Sequence, residues 1–126
     1  MTQPQLALIV EDSPTHRMML KSILEKLDIK TLEAEDGQQA AEIFSQHPID
    51  IVFMDIMMPV MDGYASIREI RLSEDGSGKT APIVLITSVD NDLELEFAMA
   101  SGANYAINKP FTADSIHQVL KDIQAA

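Results

Sequence analysis

Residues 6–14 read Leu6-Ala7-Leu8-Ile9-Val10-Glu11-Asp12-Ser13-Pro14, and this stretch decides the fold. Five consecutive apolar residues without alternation fit a strand buried on both faces, as inside a parallel sheet. Ser13 then supplies a helix N-cap, with Pro14 at the first helical position. Beyond it Met19, Ile23 and Leu27, with Leu20 and Leu24 beside them, form a stripe at helical spacing. Strand, acidic turn and amphipathic helix make one β–α unit.

Outward from this unit the pattern continues. Lys30–Ala34 reads as a second, more polar strand at an edge, and Asp36-Gly37 opens a helix whose apolar side includes Ala40, Ile43 and Phe44, ended by Pro48. Residues 49–54 form a third strand, followed by an irregular Pro-containing loop over 56–62. Residues 63–72 read as a helix with Tyr64, Ile67 and Ile70 on one side, and 73–81 as a polar, Gly-rich connection. Residues 82–86 form a fourth buried strand, and 90–100 a helix closed by Ser101-Gly102. The start of that helix, Leu93 to Phe97, also fits strand alternation. Tyr105–Asn108 is a short fifth strand, and Thr112 caps a last helix with Ile116, Val119, Leu120 and Ile123 facing inward. Five β–α units without internal repeat or low-complexity linker imply an α/β fold. It is a doubly wound, five-stranded parallel sheet with five helices on its two faces, joined by right-handed crossovers.

The 126 residues suit one domain, expected to span 1–126 without a separate output domain. Nine Lys and Arg against twenty Asp and Glu give a net charge of −11, which repels phosphate backbones and anionic lipid. Nucleic acid and membrane surfaces are therefore not expected partners. The absence of Cys excludes disulfides, zinc–thiolate sites and thiol nucleophiles. Leu6–Val10, the longest apolar run, is far too short to span a bilayer, and the first basic residue is Arg17, so no signal peptide is expected. The expectation is a soluble cytoplasmic protein.

The polar residues fall at strand ends. Glu11 and Asp12 follow the first strand, Asp55 the third, Thr87 the fourth and Lys109 the fifth. In an open α/β sheet, ligands bind beyond the carboxyl ends of the strands, where the strand order reverses. If the order is 2-1-3-4-5, the first and third strands are neighbours there. Glu11, Asp12 and Asp55 then share one crevice, flanked by Thr87 and Lys109. Carboxylates about 5 Å apart at an effective dielectric of about 20 repel by roughly 3 kcal/mol a pair. Such a site needs a proton or a cation, and an all-oxygen ligand set suits Mg²⁺. Lys109 and the Thr87 hydroxyl suit phosphoryl oxygens. Together these groups describe phosphoryl transfer with Asp55 as the group attacked into an acyl phosphate. Taken singly, Asp12 reads equally as a helix cap, while Thr87 reads better as a loop or capping residue and Lys109 as a solvated side chain; their joint placement carries the argument.

With these residues in place, the sequence resembles a response-regulator receiver domain of the single-domain, CheY-like type. The resemblance rests on LIVEDSPTHR, IVFMDIMMPVMDGYASIREIR, PIVLITS and SGANYAINKPF, and covers essentially the whole chain. It implies the 2-1-3-4-5 strand order of the flavodoxin/CheY-like fold. It implies that Asp55 is the phosphoacceptor, and that Glu11, Asp12, Asp55 and the backbone carbonyl of Met57 hold Mg²⁺. Thr87 closes on the phosphoryl group, Lys109 pairs with it, and Pro110 follows a cis bond. The implied donor is a sensor histidine kinase or a phosphotransfer protein, and an unidentified downstream protein reads the result, with the chain a monomer or a phosphorylation-dependent dimer. It is then no enzyme beyond its own phosphorylation and dephosphorylation.

Family members usually carry an aromatic residue three positions before the lysine, whereas this chain has Ala106 there and Tyr105 one place earlier. Successive strand residues point to opposite faces, so Tyr105 does not substitute. Signalling is then expected to rely on the loop after Thr87 and the helix that follows. Helical spacing over 90–100 puts Leu93, Phe97 and Ala100 on one face, expected to be buried, and Leu95 and Met99 on the other, expected to form a partner face.

The alternatives are two. A haloacid dehalogenase-type, Mg²⁺-dependent phosphatase also uses an Asp after a strand, but carries a second Asp two positions on, where this chain has Met57. A phosphorylation-independent binding module would lack the Asp, Thr or Lys, and none is missing. Gly76-Ser77-Gly78-Lys79-Thr80 resembles the end of a P-loop, but Ser73 stands where the first Gly belongs, and a helix precedes it where a strand should. His16, His47 and His117 show no metal spacing and read as solvated or partly buried; Met54, Met57, Met58 and Met61 read as packing around the third strand.

Overall fold

The computed structural model describes residues 3–55, 63–74, 80–87 and 92–125, with the side chains of 63 and 92–95 excepted. The elements are β1 (Leu6–Val10), α1 (Pro14–Glu25), β2 (Lys30–Ala34), α2 (Gly37–Gln46), β3 (Ile51–Asp55), α3 (Gly63–Glu74), β4 (Ile83–Thr87), α4 (Asp92–Ser101), β5 (Tyr105–Asn108) and α5 (Ala113–Ala125). All strands are parallel, in the order β2-β1-β3-β4-β5. The backbone therefore reverses its direction of winding between β1 and β3, which opens a crevice beyond their carboxyl ends.

The continuous apolar strands divide their residues between two cores. Leu8, Val10, Val52, Met54, Ile83 and Leu85 face one side, against Ala40 and Phe44 of α2, Ile67 and Ile70 of α3 and Ala98 of α4. Ala7, Ile9, Ile51, Phe53, Val84 and Ile86 face the other, against Leu20 and Leu24 of α1 and Ile116, Val119, Leu120 and Ile123 of α5. Every residue of β3 is buried, which explains why no polar residue interrupts it before Asp55. Ser13 caps α1 by accepting from the N–H of His16, and Asp36 caps α2 by accepting from Gln39.

Several boundaries differ from the sequence reading. β3 begins at Ile51 and not at residue 49; just before it the Asp50 N–H donates to the Leu6 carbonyl, and the Asp50 carboxylate accepts from the backbone N–H groups of Gln5 and Leu6. β4 begins one residue later, at Ile83, and takes in Thr87. α3 runs on to Glu74 and α4 spans Asp92–Ser101. Met19 stands 44% exposed, so the buried stripe of α1 is Leu20 and Leu24, with Ile23 and Leu27 at its edge.

The inward face of α4 is also different. Phe97 is 63% exposed and Ala100 is exposed, while Ala98 is fully buried. Phe97 lies edge-on to Tyr64 of α3, with centroids 5.7 Å apart. The small Ala98 lets the helix backbone approach the sheet, and the large ring is placed over the neighbouring helix. Met99 is exposed, as expected, at 39%. The side chains of Leu93 and Leu95 lie outside the described residues, as do the loop with Met57, Met58 and Met61 and residues 76–79 of the Gly-rich connection.

Candidate functional site

Strand order alone assembles the crevice. Val10 of β1 is in register with Met54 of β3, so Glu11 emerges beside Asp55. Asp55 pairs with Ile86 on its other side, which brings Thr87 to the rim, and Thr87 pairs with Asn108, the residue before Lys109. The Lys109 N–H donates to the Thr87 carbonyl at 2.8 Å, fixing the start of the lysine's loop. The structure thus brings Glu11, Asp12, Asp55 and Lys109 together, and backbone pairing places Thr87 at their edge. The Lys109–Pro110 peptide bond is cis.

Glu11, Asp12 and Asp55 each offer a carboxylate oxygen, and these lie within 4.8 Å of one another. Glu11 and Asp55 are buried, while Asp12 is exposed at the mouth. Lys109 Nζ donates to Asp55 Oδ2 at 2.8 Å and lies 3.9 Å from Glu11 Oε2. One ammonium group does not balance three carboxylates at this spacing. Burial pushes the Glu11 carboxyl up to about 7; a hydrogen bond shared with Asp55 and the charge of Asp55 add to this, while Lys109 and the Ser13 N–H oppose it. With both carboxylates ionised, Glu11 Oε2 is buried without a donor among the described residues. A shared proton fills that need, and so does a cation. Oxygen ligands, one exposed to solvent, fit Mg²⁺, which keeps several waters and takes one or two carboxylates.

The first turn of α1 braces this loop. Arg17 Nη1 donates to the Glu11 carbonyl at 2.8 Å, and its Nε is held 3.5 Å from Glu33 of β2. His16 Nδ1 stands 3.6 Å from Glu11 Oε1. Sequence spacing missed both residues, since neither lies at a strand end. Ala106 is exposed, and Tyr105 packs partly buried on the α1–α5 side of the sheet. The two residues therefore face opposite ways, and the tyrosine ring does not take the place of an aromatic residue at 106.

Comparison with known proteins gives one consistent result. The sequence model of the response regulator receiver domain matches residues 7–121. The chemotaxis protein CheY of Bacillus subtilis is 37% identical over 114 residues, covering 90% of this chain and 92% of that protein. Among solved structures, the receiver domain of the sensor histidine kinase PA1611 of Pseudomonas aeruginosa PAO1, with a magnesium ion coordinated in its active-site cleft, superposes with a TM-score of 0.86. It is 30% identical, and the match covers 97% of this chain and 98% of that one. A chain of the co-crystal structure of the Saccharomyces cerevisiae phosphotransfer protein Ypd1 with the receiver domain of Ssk1 also gives 0.86, at 28% identity over 100% of this chain and 95% of that one. The haloacid dehalogenase alternative finds no support in these matches. With the match running over nearly its whole length, the chain belongs to the family of response regulator receiver domains.

Proposed function

We propose that Asp55 accepts a phosphoryl group from the phosphohistidine of a sensor histidine kinase or phosphotransfer protein, in a Mg²⁺-dependent reaction. The observation that carries this reading is the meeting of three carboxylates within 4.8 Å, with Lys109 2.8 Å from Asp55. A carboxylate oxygen of Asp55 attacks phosphorus, the P–N bond to the donor imidazole breaks, and the imidazole leaves with the bonding pair. Glu11, Asp12, Asp55 and the Met57 carbonyl would hold Mg²⁺, which supplies positive charge against the phosphoryl oxygens. Lys109 gives up Asp55 Oδ2 as a partner and turns to a phosphoryl oxygen, while the Thr87 hydroxyl donates to another. Hydrolysis of the acyl phosphate on the same residues is the only turnover assigned to the chain. The resemblance to a receiver domain solved with a phosphotransfer protein supports a protein donor. We place the reaction in the cytoplasm; no described helix is long and apolar enough to cross a membrane.

The readout belongs to α4. Met99 is exposed there, and Leu95, four residues before it in the sequence, is assigned with it to the partner face. With Ala106 too small to act as a ring that turns inward or outward, the loop after Thr87 and α4 carry the signal to a downstream protein or a second copy of the chain. Incubation with acetyl phosphate, with and without Mg²⁺, tests the chemistry. An acid-stable, base-labile adduct that requires Mg²⁺ and is lost in Asp55→Asn is the expected result. Labelling of the Asp55→Asn variant at the wild-type rate would overturn the assignment.

A further inference from the structure

His16 is the third residue of α1 and lies between the two loops that build the crevice. Its Nδ1 is buried without a hydrogen-bond partner among the described residues, although the side chain is 41% exposed. That nitrogen points at Glu11 Oε1 from 3.6 Å, just beyond hydrogen-bond distance. The same oxygen accepts from the Ser13 N–H at 3.3 Å. The other oxygen, Oε2, faces the crevice and Lys109. The Glu11 carboxylate is thus divided into one oxygen held by the protein and one offered to the site. On its other side the His16 ring meets Phe111 edge-on, with centroids 6.2 Å apart. Phe111 follows Lys109 by two residues, so a single ring touches both the loop of the acidic pair and the loop of the lysine.

We propose that His16 is a positioning residue for the cation site: its Nδ1–H closes on Glu11 Oε1 and thereby aims Oε2 at the metal ion. The neutral ring, with its proton on Nδ1, is sufficient. Carboxylates that ligate metals are themselves hydrogen-bonded, which fixes the oxygen they present. Here the Ser13 N–H alone is long and held by the loop backbone, and His16 supplies the second donor from a rigid helix. The contact with Phe111 holds the ring in place. This inference rests on the crevice of Glu11, Asp12 and Asp55 being the Mg²⁺ site.

The test is Mg²⁺ titration of the full chain by calorimetry, in four proteins. His16→Phe keeps the ring against Phe111 and removes the nitrogen. His16→Asn places an amide nitrogen where Nδ1 stood and removes the ring. Asp12→Ala reports on the site itself. His16→Phe should weaken Mg²⁺ binding about tenfold, while His16→Asn stays close to wild type. His16→Leu replaces the phenylalanine variant should that one not fold. Wild-type affinity in His16→Phe, or equal loss in His16→Phe and His16→Asn, would overturn the proposal. Absence of Mg²⁺ binding by the wild type, or no effect of Asp12→Ala, would instead defeat the site reading and this inference with it.

Discussion

Glu11 is where burial and charge conflict most. It is 1% exposed, and its carboxyl is raised from 4.5 to about 7, first by burial and then by Asp55. A carboxyl whose folded pKa lies above the unfolded one contributes stability fully below the unfolded value, and that contribution is lost as pH rises through the folded value. Without Mg²⁺, the thermal midpoint should fall as pH rises from below 4.5 to above about 7. Mg²⁺ binds the ionised carboxylate, so it should restore the midpoint on the alkaline side and change little on the acid side. Melting curves across this range, with and without Mg²⁺, check both statements; a midpoint that rises with pH in Mg²⁺-free buffer would contradict them. Asp55→Asn tests the same balance. An amide there offers a donor to the buried Glu11 carboxylate while keeping an oxygen to accept from Lys109. The Mg²⁺-free variant should therefore be no less stable than wild type above about pH 7, and its fall with pH should be smaller. The five residues at strand ends were legible because strand ends are legible. His16 and Arg17 were not, because their contacts with Glu11 depend on how the β1–α1 turn directs the first helical turn.

The elements differ in how plainly their sequences state them. Runs such as Leu6–Val10 and the stretch around Ile51–Asp55 have no polar face to hide, so burial on both sides follows from composition. α4 is the opposite case. Phe97, Ala98, Met99 and Ala100 are all apolar, so spacing alone permits more than one inward face. The packing decides for Ala98, against the expectation for Phe97. This has a direct consequence for stability. Ala98→Asp puts an unpaired charge into the core and should cost about 3 kcal/mol or more. Phe97→Ser removes one exposed ring and its contact with Tyr64, and should cost about 1 kcal/mol. Urea unfolding of both variants measures the difference, and a larger loss for Phe97→Ser would restore the other face. As a test of the proposed partner face, Leu95→Ser with Met99→Ser should leave labelling of Asp55 by acetyl phosphate unchanged. The same double variant should weaken binding to the cognate downstream protein, read by pull-down of the phosphorylated chain; unchanged capture would remove α4 from the readout.

At the scale of the whole molecule, the β–α alternation announces the architecture, but the lock at the far end of the sheet has no sequence pattern. Arg71 of α3 donates to the Gly102 carbonyl through Nε at 3.0 Å and Nη2 at 2.7 Å, to the Ala81 carbonyl at 2.8 Å and to Asn104 Oδ1 at 2.7 Å. Glu74 pairs with Arg71 at 2.8 Å and accepts from the Ala81 N–H, while Asn104 accepts from the Ile83 N–H. One guanidinium thus joins α3, the end of α4 and the starts of β4 and β5, opposite the carboxyl ends where the crevice lies. The sequence marks Gly102 only as a helix terminator. Its φ of +125° and the lack of space for a Cβ, which would stand 3.0 Å from Arg71 Cγ, add a second demand. Gly102→Ala should cost about 2 kcal/mol through backbone strain and this clash. Arg71→Ala should cost about 2 kcal/mol by leaving its carbonyl partners short of donors. The two losses share a cause, because removing the Arg71 side chain also removes the atom that a methyl group at position 102 would strike. The double variant should therefore lose less than the sum of the single variants, by more than the roughly 0.3–0.5 kcal/mol within which independent sites add. Urea unfolding of the four proteins closes the cycle. Simple additivity would mean that Arg71 plays no part in requiring glycine there, which would leave the backbone conformation and Ile67, whose Cγ2 would stand 3.2 Å from the same Cβ, as the cause.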